Sequence, residues 1–371
     1  MGTSIREHFA KLDDPRSRRG RRHLLSDMFL ITLCAMICGA DNWAAIAMFG
    51  KAKRKWFKTF LQLPHGIPSH YTFERVFSAL LPESLERCFA EWIHALNQAG
   101  KGLVAIDGKT IRGSLDKAGD KAAIHMVSAF ASANGLVLGQ IATEAKSNEI
   151  TAIPKLLDLL DLKGTTVTID AEGCQKDIAR KIVDRGAGYV LALKANHPTL
   201  HDEIKLFLDD AIAHGFKGVT HDFHQDVTGD HGRIETRRLW CTPDIDWCED
   251  KDQWAGVRSF AAVECERIVG EKTSCERRYF ISTLDGKDAK ALADAVRGHW
   301  GIENNLHWQL DVSFHEDACR VRTGHGAENL SRLRRIALNL LKRETTEKAS
   351  IANKRLLAGW DHDYLLKLLT T

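Results

Sequence analysis

The spacing of apolar residues changes near residue 100. Over residues 1–95, apolar side chains recur every three or four positions, which is the period of an amphipathic helix. From residue 100 onward, short apolar runs alternate with Gly, Pro, Asn and Asp, a pattern typical of strands and turns. A helical pattern returns after residue 286. The pattern therefore predicts an α/β protein that begins with a helical region.

A regular order of elements is predicted after this change. GLVAID is one strand, and AIHMVSAFASANGLVLGQIATE forms two strands about an Asn-Gly turn. Next come the helix SNEITAIPKLLDLL, the strand TTVTIDA, the helix CQKDIARKIVDRGAG and the strand YVLALK. The predicted order is three strands, helix, strand, helix, strand.

Five successive segments follow from the changes of pattern. They are a helical N-terminal segment (1–97), the first part of an α/β segment (98–194), a mainly β insertion (195–286), a helical completion (287–345) and a helical tail (346–371). In the first segment Ser69 is a candidate N-cap for a helix with an apolar face of Phe73, Val76, Phe77 and Leu80. Such a helix either enters a DNA groove or packs in a helical bundle.

Charge is unevenly distributed over the 371 residues. Residues 1–60 carry 12 Lys and Arg against 5 Asp and Glu, and residues 320–355 carry 10 against 3. The segment between them is acidic, because the net charge of the whole chain is only +3. Basic ends favour a polyanionic partner, although two ordinary solvated surfaces explain the same distribution.

Neither a membrane segment nor a disulfide framework is expected. The longest apolar run, residues 28–40, has 13 residues, which is too short to cross a bilayer and wrongly placed for a signal peptide. The nine cysteines contain no CxxC pair, which argues against a four-cysteine zinc site. We therefore expect a cytoplasmic protein with reduced cysteines and no membrane partner.

Asp107 and Asp170 follow two predicted strands in the same way, in LVAID and VTID. If these strands are neighbours, the two carboxylates lie a few ångströms apart and repel each other unless a cation binds between them. Hard oxygen ligands select Mg²⁺ or Mn²⁺. Either aspartate taken singly is more typical of a turn or a helix cap.

A third carboxylate is expected on a later helix. In RGHWGIENNLHWQLDVSFHED a buried stripe is predicted at Ile302, Leu306 and Leu310. Glu303 stands beside this stripe, where it can face a metal ion. His307, Asp311 and His315 follow at intervals of four; they form either a metal site of their own or a polar border on a helix that buries Trp300 and Trp308.

Five motifs occur in order along the chain: AIDGKTIRGS, TIDAEGCQ, YVLALKANH, DHGRIETR and RGHWGIENNLHWQLDVSFHED. Together they resemble the DDE transposases of bacterial insertion sequences, and among these the H-repeat-associated proteins found with Rhs elements. The resemblance covers nearly the whole chain. It implies a DNA transposase that binds insertion-sequence ends and performs metal-dependent strand cleavage and strand transfer.

The resemblance also implies a fold and a site. The fold is a ribonuclease H-like mixed five-stranded sheet with flanking helices, a β-rich insertion before the last catalytic helix, and a helical N-terminal DNA-binding domain. The implied catalytic residues and metal ligands are Asp107, Asp170 and Glu303, holding two Mg²⁺ or Mn²⁺ ions. Glu172 is either a further acid or a helix-capping residue.

The implied partner is double-stranded DNA, as terminal inverted repeats and as target, bound by a dimer in the bacterial cytoplasm and nucleoid. Candidate DNA contacts are Lys109, Arg112, Lys194, Asn196, His231, Arg233, Arg237, Arg297, His299, Trp300 and Asn304. In HGRIETR, salt bridges with Glu235 explain the alternation of cations equally well. The basic helix SRLRRIALNLLKRE is a further candidate to lie along the DNA backbone.

One departure from the family pattern concerns the residues around Glu303. Many relatives place an arginine four residues before the glutamate and a lysine seven residues after it. This chain has His299 and Leu310 there, and Arg297 is the candidate substitute.

Two other functions compete with this interpretation. A doubly wound nucleotide-binding enzyme is disfavoured, because GxGxxG and GxxxxGK[ST] loops are both absent from the sequence. A catalytically inactive, transposase-derived DNA-binding protein is the alternative that retains the family resemblance.

Overall fold

The computed structural model describes residues 4–96, 102–116, 119, 121–143, 148–230 and 232–370. Its helices in this part of the chain are α1 (Ile5–Phe9), α2 (Leu25–Ile37), α3 (Trp43–Ala52), α4 (Arg54–Phe57), α5 (His70–Ala79), α6 (Pro82–Ala95), α7 (Glu149–Leu159), α8 (Lys176–Asp184), α9 (Pro198–Ala213), α10 (Ala289–His299), α11 (Trp308–Val312), α12 (Gly326–Arg343), α13 (Ile351–Trp360) and α14 (His362–Thr370). A π-helical segment, Glu303–His307, precedes α11.

The described residues also form nine strands. They are β1 (Leu103–Ile111), β2 (Ile124–Ala131), β3 (Leu136–Ala142), β4 (Thr166–Ile169), β5 (Gly188–Leu193), β6 (Asp222–Asp230), β7 (Arg233–Thr242), β8 (Ser259–Val269) and β9 (Lys272–Ser282). Their order in the sheet is β3-β2-β1-β4-β5-β9-β8-β7-β6. The β4 strand pairs in parallel with β1 and with β5, and the remaining recorded pairings are antiparallel.

The predicted order of elements between β1 and β5 is confirmed, since β1-β2-β3-α7-β4-α8-β5 is the order along the chain. The hairpin at the Asn-Gly turn is also confirmed. Gly135 closes this turn at a φ of +69°, a left-handed conformation that glycine adopts at little cost. Local turn and period signals were therefore sufficient for this part of the chain.

The insertion differs from the prediction in two respects. It begins with the 16-residue helix α9. The helical spacing of the apolar residues in α9 was not recognised, because charged residues stand between them. In addition, β9 pairs with β5, so that β6–β9 extend the central sheet. For this reason the sheet has nine strands among the described residues, where five were expected.

Packing divides the chain into two compact units built from separate stretches. Unit one comprises Met1–Ala99, Gly108–Ser147 and Glu303–Thr371, and unit two comprises Gly100–Asp107 and Asn148–Ile302. These units interleave along the chain, so they do not coincide with the five successive segments expected from the sequence.

Unit one is built around α2, which carries most of the longest apolar run. All its residues from Asp27 to Ile37 are buried, so the run forms a core helix. The helix predicted after Ser69 is confirmed as α5: the Ser69 hydroxyl accepts from the Thr72 N–H, and Phe73, Val76 and Phe77 are buried. No helix among the described residues is long and apolar enough to span a membrane. All nine cysteines are free thiols.

The arginines of α12 are buried in unit one. Arg335 donates to Glu316 at 3.0 Å, and Arg332 donates to Glu86 at 3.2 Å. Glu86 also accepts the backbone N–H of Gln140 in β3 at 2.9 Å. The prediction that this basic helix lies along DNA was therefore wrong for these arginines, because its pattern was judged without the acidic residues that neutralise it.

Glu344, at the end of α12, holds the C-terminal helices of unit one. Its buried carboxylate accepts from the Lys367 ammonium at 3.1 Å and from the Tyr364 hydroxyl at 3.1 Å. Burial raises the pKa of Glu344, but these bonds and those from Thr346 outweigh it and lower the pKa to about 2.

We expect Glu344→Gln to lower the free energy of unfolding by about 3 kcal/mol at pH 7. The carboxyl pKa is lower in the folded state than in the unfolded state, so its stabilising effect is complete above the unfolded value and is lost as the pH falls through the folded one. Urea unfolding at pH 7 and at pH 3 should therefore show a smaller difference between wild type and variant at pH 3. An equal difference at both pH values would contradict this account.

The core of unit two lies between α10 and one face of the sheet. Its buried members are Val190, Leu239, Cys241, Ala261, Phe280, Ala289, Leu292 and Ala295. At the start of α10 the Asp288 carboxylate accepts the Ala291 N–H at 2.9 Å, and Asp222 accepts the Ala289 N–H at 2.8 Å. These two caps hold the beginning of α10. The buried residues of α10 hold the helix against the sheet, and His299 is its last residue.

Candidate active site

Asp107 and Asp170 lie at neighbouring positions in unit two. The β1 and β4 strands run parallel with Ile106 opposite Ile169, and each aspartate is the next residue. Adjacent strands are about 4.8 Å apart, so the two aspartates occupy equivalent backbone positions on neighbouring strands. The structure therefore brings together the two aspartates that the sequence singled out.

The loop after β4 fixes the orientation of Asp170. One carboxylate oxygen accepts the backbone N–H of Glu172 at 3.0 Å and that of Gly173 at 3.3 Å. A Cβ at Gly173 would lie 2.3 Å from the Ile169 side chain and 2.9 Å from that of Ile153, so only glycine allows this close turn. The glycine in TIDAEG was the sequence signal for this turn.

Asn196 and His197 hold the same loop from the segment after β5. The Asn196 amide donates to the Ala171 carbonyl at 2.7 Å, and the His197 ring bonds to the Cys174 carbonyl at 2.7 Å. Asn196, predicted as a DNA contact, thus supports the Asp170 loop. Lys194, two residues before it, is exposed.

His299 ends α10 beside the aspartate pair. Its Nδ1 bonds to the Thr168 hydroxyl at 3.1 Å, two residues before Asp170. Burial lowers the pKa of His299, while the Asp170 charge acts in the opposite direction. A largely neutral imidazole therefore lies close to Asp170 at neutral pH.

Glu303 opens the π-helical segment and is exposed. The predicted stripe beside it is confirmed, since Ile302, Leu306 and Leu310 are fully buried. Ile302 ends one stretch of unit two and Glu303 begins a stretch of unit one. Its convergence with the aspartates thus stays a prediction. The π-helical turn itself was not foreseen, and such turns occur frequently at functional sites.

Trp300 and Trp308 are exposed to 44% and 54%, so the expectation that both lie in the core was wrong. Trp308 stands two residues from Leu306 and two from Leu310, which places it on the opposite side of the helix from the buried stripe. The Arg278 guanidinium lies over the Trp300 ring at 5.5 Å. Asn304, another predicted contact, is exposed.

Lys109 does not lie where a phosphate can reach it. Its buried ammonium pairs with Asp311 at 2.8 Å and with Asp317 at 3.1 Å, both in unit one. This geometry gives Lys109 a structural role in place of the predicted phosphate contact. The side chain of Arg112 is 84% exposed, with its Nε 3.5 Å from Asp317.

The alternative of a metal site made of His307, Asp311 and His315 is not realised in the structure. Asp311 pairs with Lys109, and the ring of His315 lies 3.5 Å from Asp41. Nowhere in the described ranges do three or more His, Cys, Asp or Glu side chains form a group that could hold a metal ion.

Cations of the insertion surround Glu235 on β7. Glu235 is buried and pairs with Arg233 at 2.9 Å, with Arg267 at 3.3 Å and with Arg237. Burial raises the pKa of Glu235, but a hydrogen bond from the Cys265 thiol and these arginines lower it to about 2. The salt-bridge interpretation of this strand therefore holds. Of the other predicted DNA contacts, His231 lies outside the described residues. The guanidinium of Arg297 lies 3.6 Å from the Asp226 carboxylate.

Comparison with known families gives two matches along the chain. Residues 98–340 match the family model described as Transposase DDE domain. Residues 6–93 match the model described as DDE_Tnp_1-associated.

Curated relatives of similar length also match. A putative transposase YncI of Escherichia coli O157:H7 is 42% identical, covering 99% of this chain and 95% of that protein. The H repeat-associated putative transposase YhhI of Escherichia coli K12 is 38% identical, covering 98% and 97%. A shorter relative from the same strain, named Inactive transposase YbfQ, is 38% identical over 20% of this chain.

Proposed function

We propose that this chain cuts and joins DNA strands at the ends of an insertion sequence, because it belongs to the DDE transposase family. The observation that carries the proposal is the register of β1 and β4, which sets Asp107 and Asp170 side by side. The reaction is hydrolysis of a phosphodiester followed by transesterification with the freed 3′-hydroxyl.

The donor chemistry of the two aspartates supports a divalent ion site, which the grouping of three ligands proposed below would complete. Two adjacent carboxylates supply hard oxygen donors of the kind that Mg²⁺ and Mn²⁺ prefer, and they repel each other without a cation. Glu303 is the proposed third ligand of a two-ion site. Such ions, when bound, lower the pKa of the attacking water and stabilise the leaving 3′-oxygen.

The protein side chains orient the reacting groups. The backbone N–H groups of Glu172 and Gly173 donate to one oxygen of Asp170 and so orient its carboxylate. The proposed reaction needs no covalent intermediate with the protein. The imidazole of His299 is largely uncharged at neutral pH, because burial lowers its pKa. Its second ring nitrogen can form a hydrogen bond with a phosphate oxygen or with the attacking water.

We further propose that β3-β2-β1-β4-β5 form the ribonuclease H-like part of the sheet and that β6–β9 belong to the insertion. The N-terminal segment 1–97 and the insertion would hold double-stranded DNA, with a dimer on paired ends. The candidate DNA contacts that remain are Arg112, Lys194, His231, Arg297, His299, Trp300 and Asn304. The exposed ring of Trp300 and the cations near it are suited to stacking on a base and to phosphate contact.

The test is incubation of the full chain with duplex DNA carrying the flanking inverted repeats and Mg²⁺, followed by mapping of the cut ends. We expect cuts at the repeat termini that leave 3′-hydroxyls, and none when EDTA replaces Mg²⁺ or when the repeats are scrambled. Binding to the repeats without any cut, in Mg²⁺ and in Mn²⁺, would favour the inactive DNA-binding alternative.

A further inference from the structure

Lys342, near the end of α12, contacts the π-helical segment Glu303–His307. Its Nζ donates a hydrogen bond of 2.8 Å to the carbonyl oxygen of Asn305. The ammonium also lies over the ring of Phe130 in β2, 4.8 Å from the ring centroid. These residues all belong to unit one, so the contact is internal to it.

The hydrogen bond from the Lys342 ammonium holds the backbone of the π-helical segment at Asn305. A π-helical turn holds one residue more than an α-helical turn and is rarely stable without support from its surroundings. Lys342 provides that support two residues after Glu303, from a different helix. A hydrogen bond from an ionised donor is about twice as strong as one between neutral groups.

Burial by itself disfavours a charged lysine at this place. Burial lowers the pKa of Lys342 to about 8, and no charged neighbour in the described part of the chain contributes to this shift. A cation desolvated in this way destabilises the folded state, which a methionine of similar length would not do.

The β2–β3 turn lies beside the Lys342 side chain. A Cβ on Gly135 in the β2–β3 turn would lie 3.4 Å from the Lys342 Nζ and 3.7 Å from its Cδ. These distances are those of ordinary van der Waals contact, so the hairpin turn forms one side of the environment of the lysine stem.

We propose that Lys342 is a positioning residue, which fixes the π-helical segment and so sets the direction of the Glu303 carboxylate. The role assigned to Glu303 rests on the proposed function, whereas the contact with Asn305 does not. The tests below separate the two.

The first test needs neither DNA nor metal. Hydrogen exchange of the backbone amides of residues 303–307 is measured in wild type, Lys342→Met and Lys342→Arg, with the exposed Lys348→Met as the matched control. We expect about ten-fold faster exchange in Lys342→Met, restored protection in Lys342→Arg, no change in Lys348→Met, and an unfolding temperature of Lys342→Met no lower than that of wild type. Unchanged exchange in Lys342→Met would overturn the positioning role.

The second test uses the cleavage reaction. We expect Lys342→Met to lower kcat by about ten- to hundred-fold, with KM for the DNA end within about two-fold and with rescue by Lys342→Arg. Weaker DNA binding with an unchanged kcat would overturn the proposal, because Lys342 would then contact a phosphate. If exchange changes as expected and wild type cuts no DNA, the proposed function fails while the contact still fixes the segment.

Discussion

Asp170→Asn is expected to lower the rate of strand cleavage by about a thousand-fold or more while leaving the affinity for the DNA end nearly unchanged. Asparagine keeps an oxygen that can accept the N–H groups of Glu172 and Gly173, so the loop can retain its shape. It removes the negative charge that the site needs to bind a divalent ion. The loss therefore comes from chemistry and not from unfolding.

The matched control for this experiment is Glu172→Gln. Glu172 is exposed and stands two residues beyond Asp170, and its backbone N–H, not its side chain, makes the loop bond. We expect Glu172→Gln to retain activity within about three-fold, and Asp107→Asn and Glu303→Gln to lose it as Asp170→Asn does. Single-turnover cleavage of labelled end DNA in Mg²⁺, with end binding measured in parallel, gives both quantities. Full cleavage by Asp107→Asn, Asp170→Asn or Glu303→Gln would remove that residue from the site.

The pair of aspartates was predictable from local patterns. Each ends a short apolar run, and the period of two together with the turn residues defined both runs as strands. Adjacency required one more assumption, that β1 and β4 are neighbours, which came from the family resemblance and not from the residues. The register itself, with Ile106 opposite Ile169, is shown by the structure.

Other features depend on contacts that no local pattern encodes. The α12 arginines have the spacing of a solvated basic face, but Arg332 pairs with Glu86, 246 residues away, and Arg335 pairs with Glu316, which lies 19 residues away outside the helix. Lys109 is similar, because Asp311 and Asp317 are about 200 residues away along the chain. The charge and helical spacing of a segment show which of its side chains face solvent only when the elements that pack against it are known.

The largest effect on stability is expected at Glu316. This fully buried carboxylate accepts from Arg335 at 3.0 Å and from the Ser331 hydroxyl at 2.9 Å, with Arg334 at 4.0 Å. Glu316→Ala would leave two buried guanidinium groups without this anion. We expect the free energy of unfolding to fall by about 3–5 kcal/mol, because desolvated charges that lose their partner are strongly destabilising.

Two comparisons make this prediction specific. Glu91 forms an exposed pair with Lys11 at 3.2 Å, so Glu91→Ala should cost no more than about 1 kcal/mol. The double variant Glu316→Met with Arg335→Met should be more stable than Glu316→Ala, because it removes one buried guanidinium together with its anion and fills the space with apolar groups. Urea unfolding followed by far-UV circular dichroism measures all three. If Glu316→Ala loses no more stability than Glu91→Ala, the buried arginines of α12 are neutralised by other groups and Glu316 does not hold this part of unit one together.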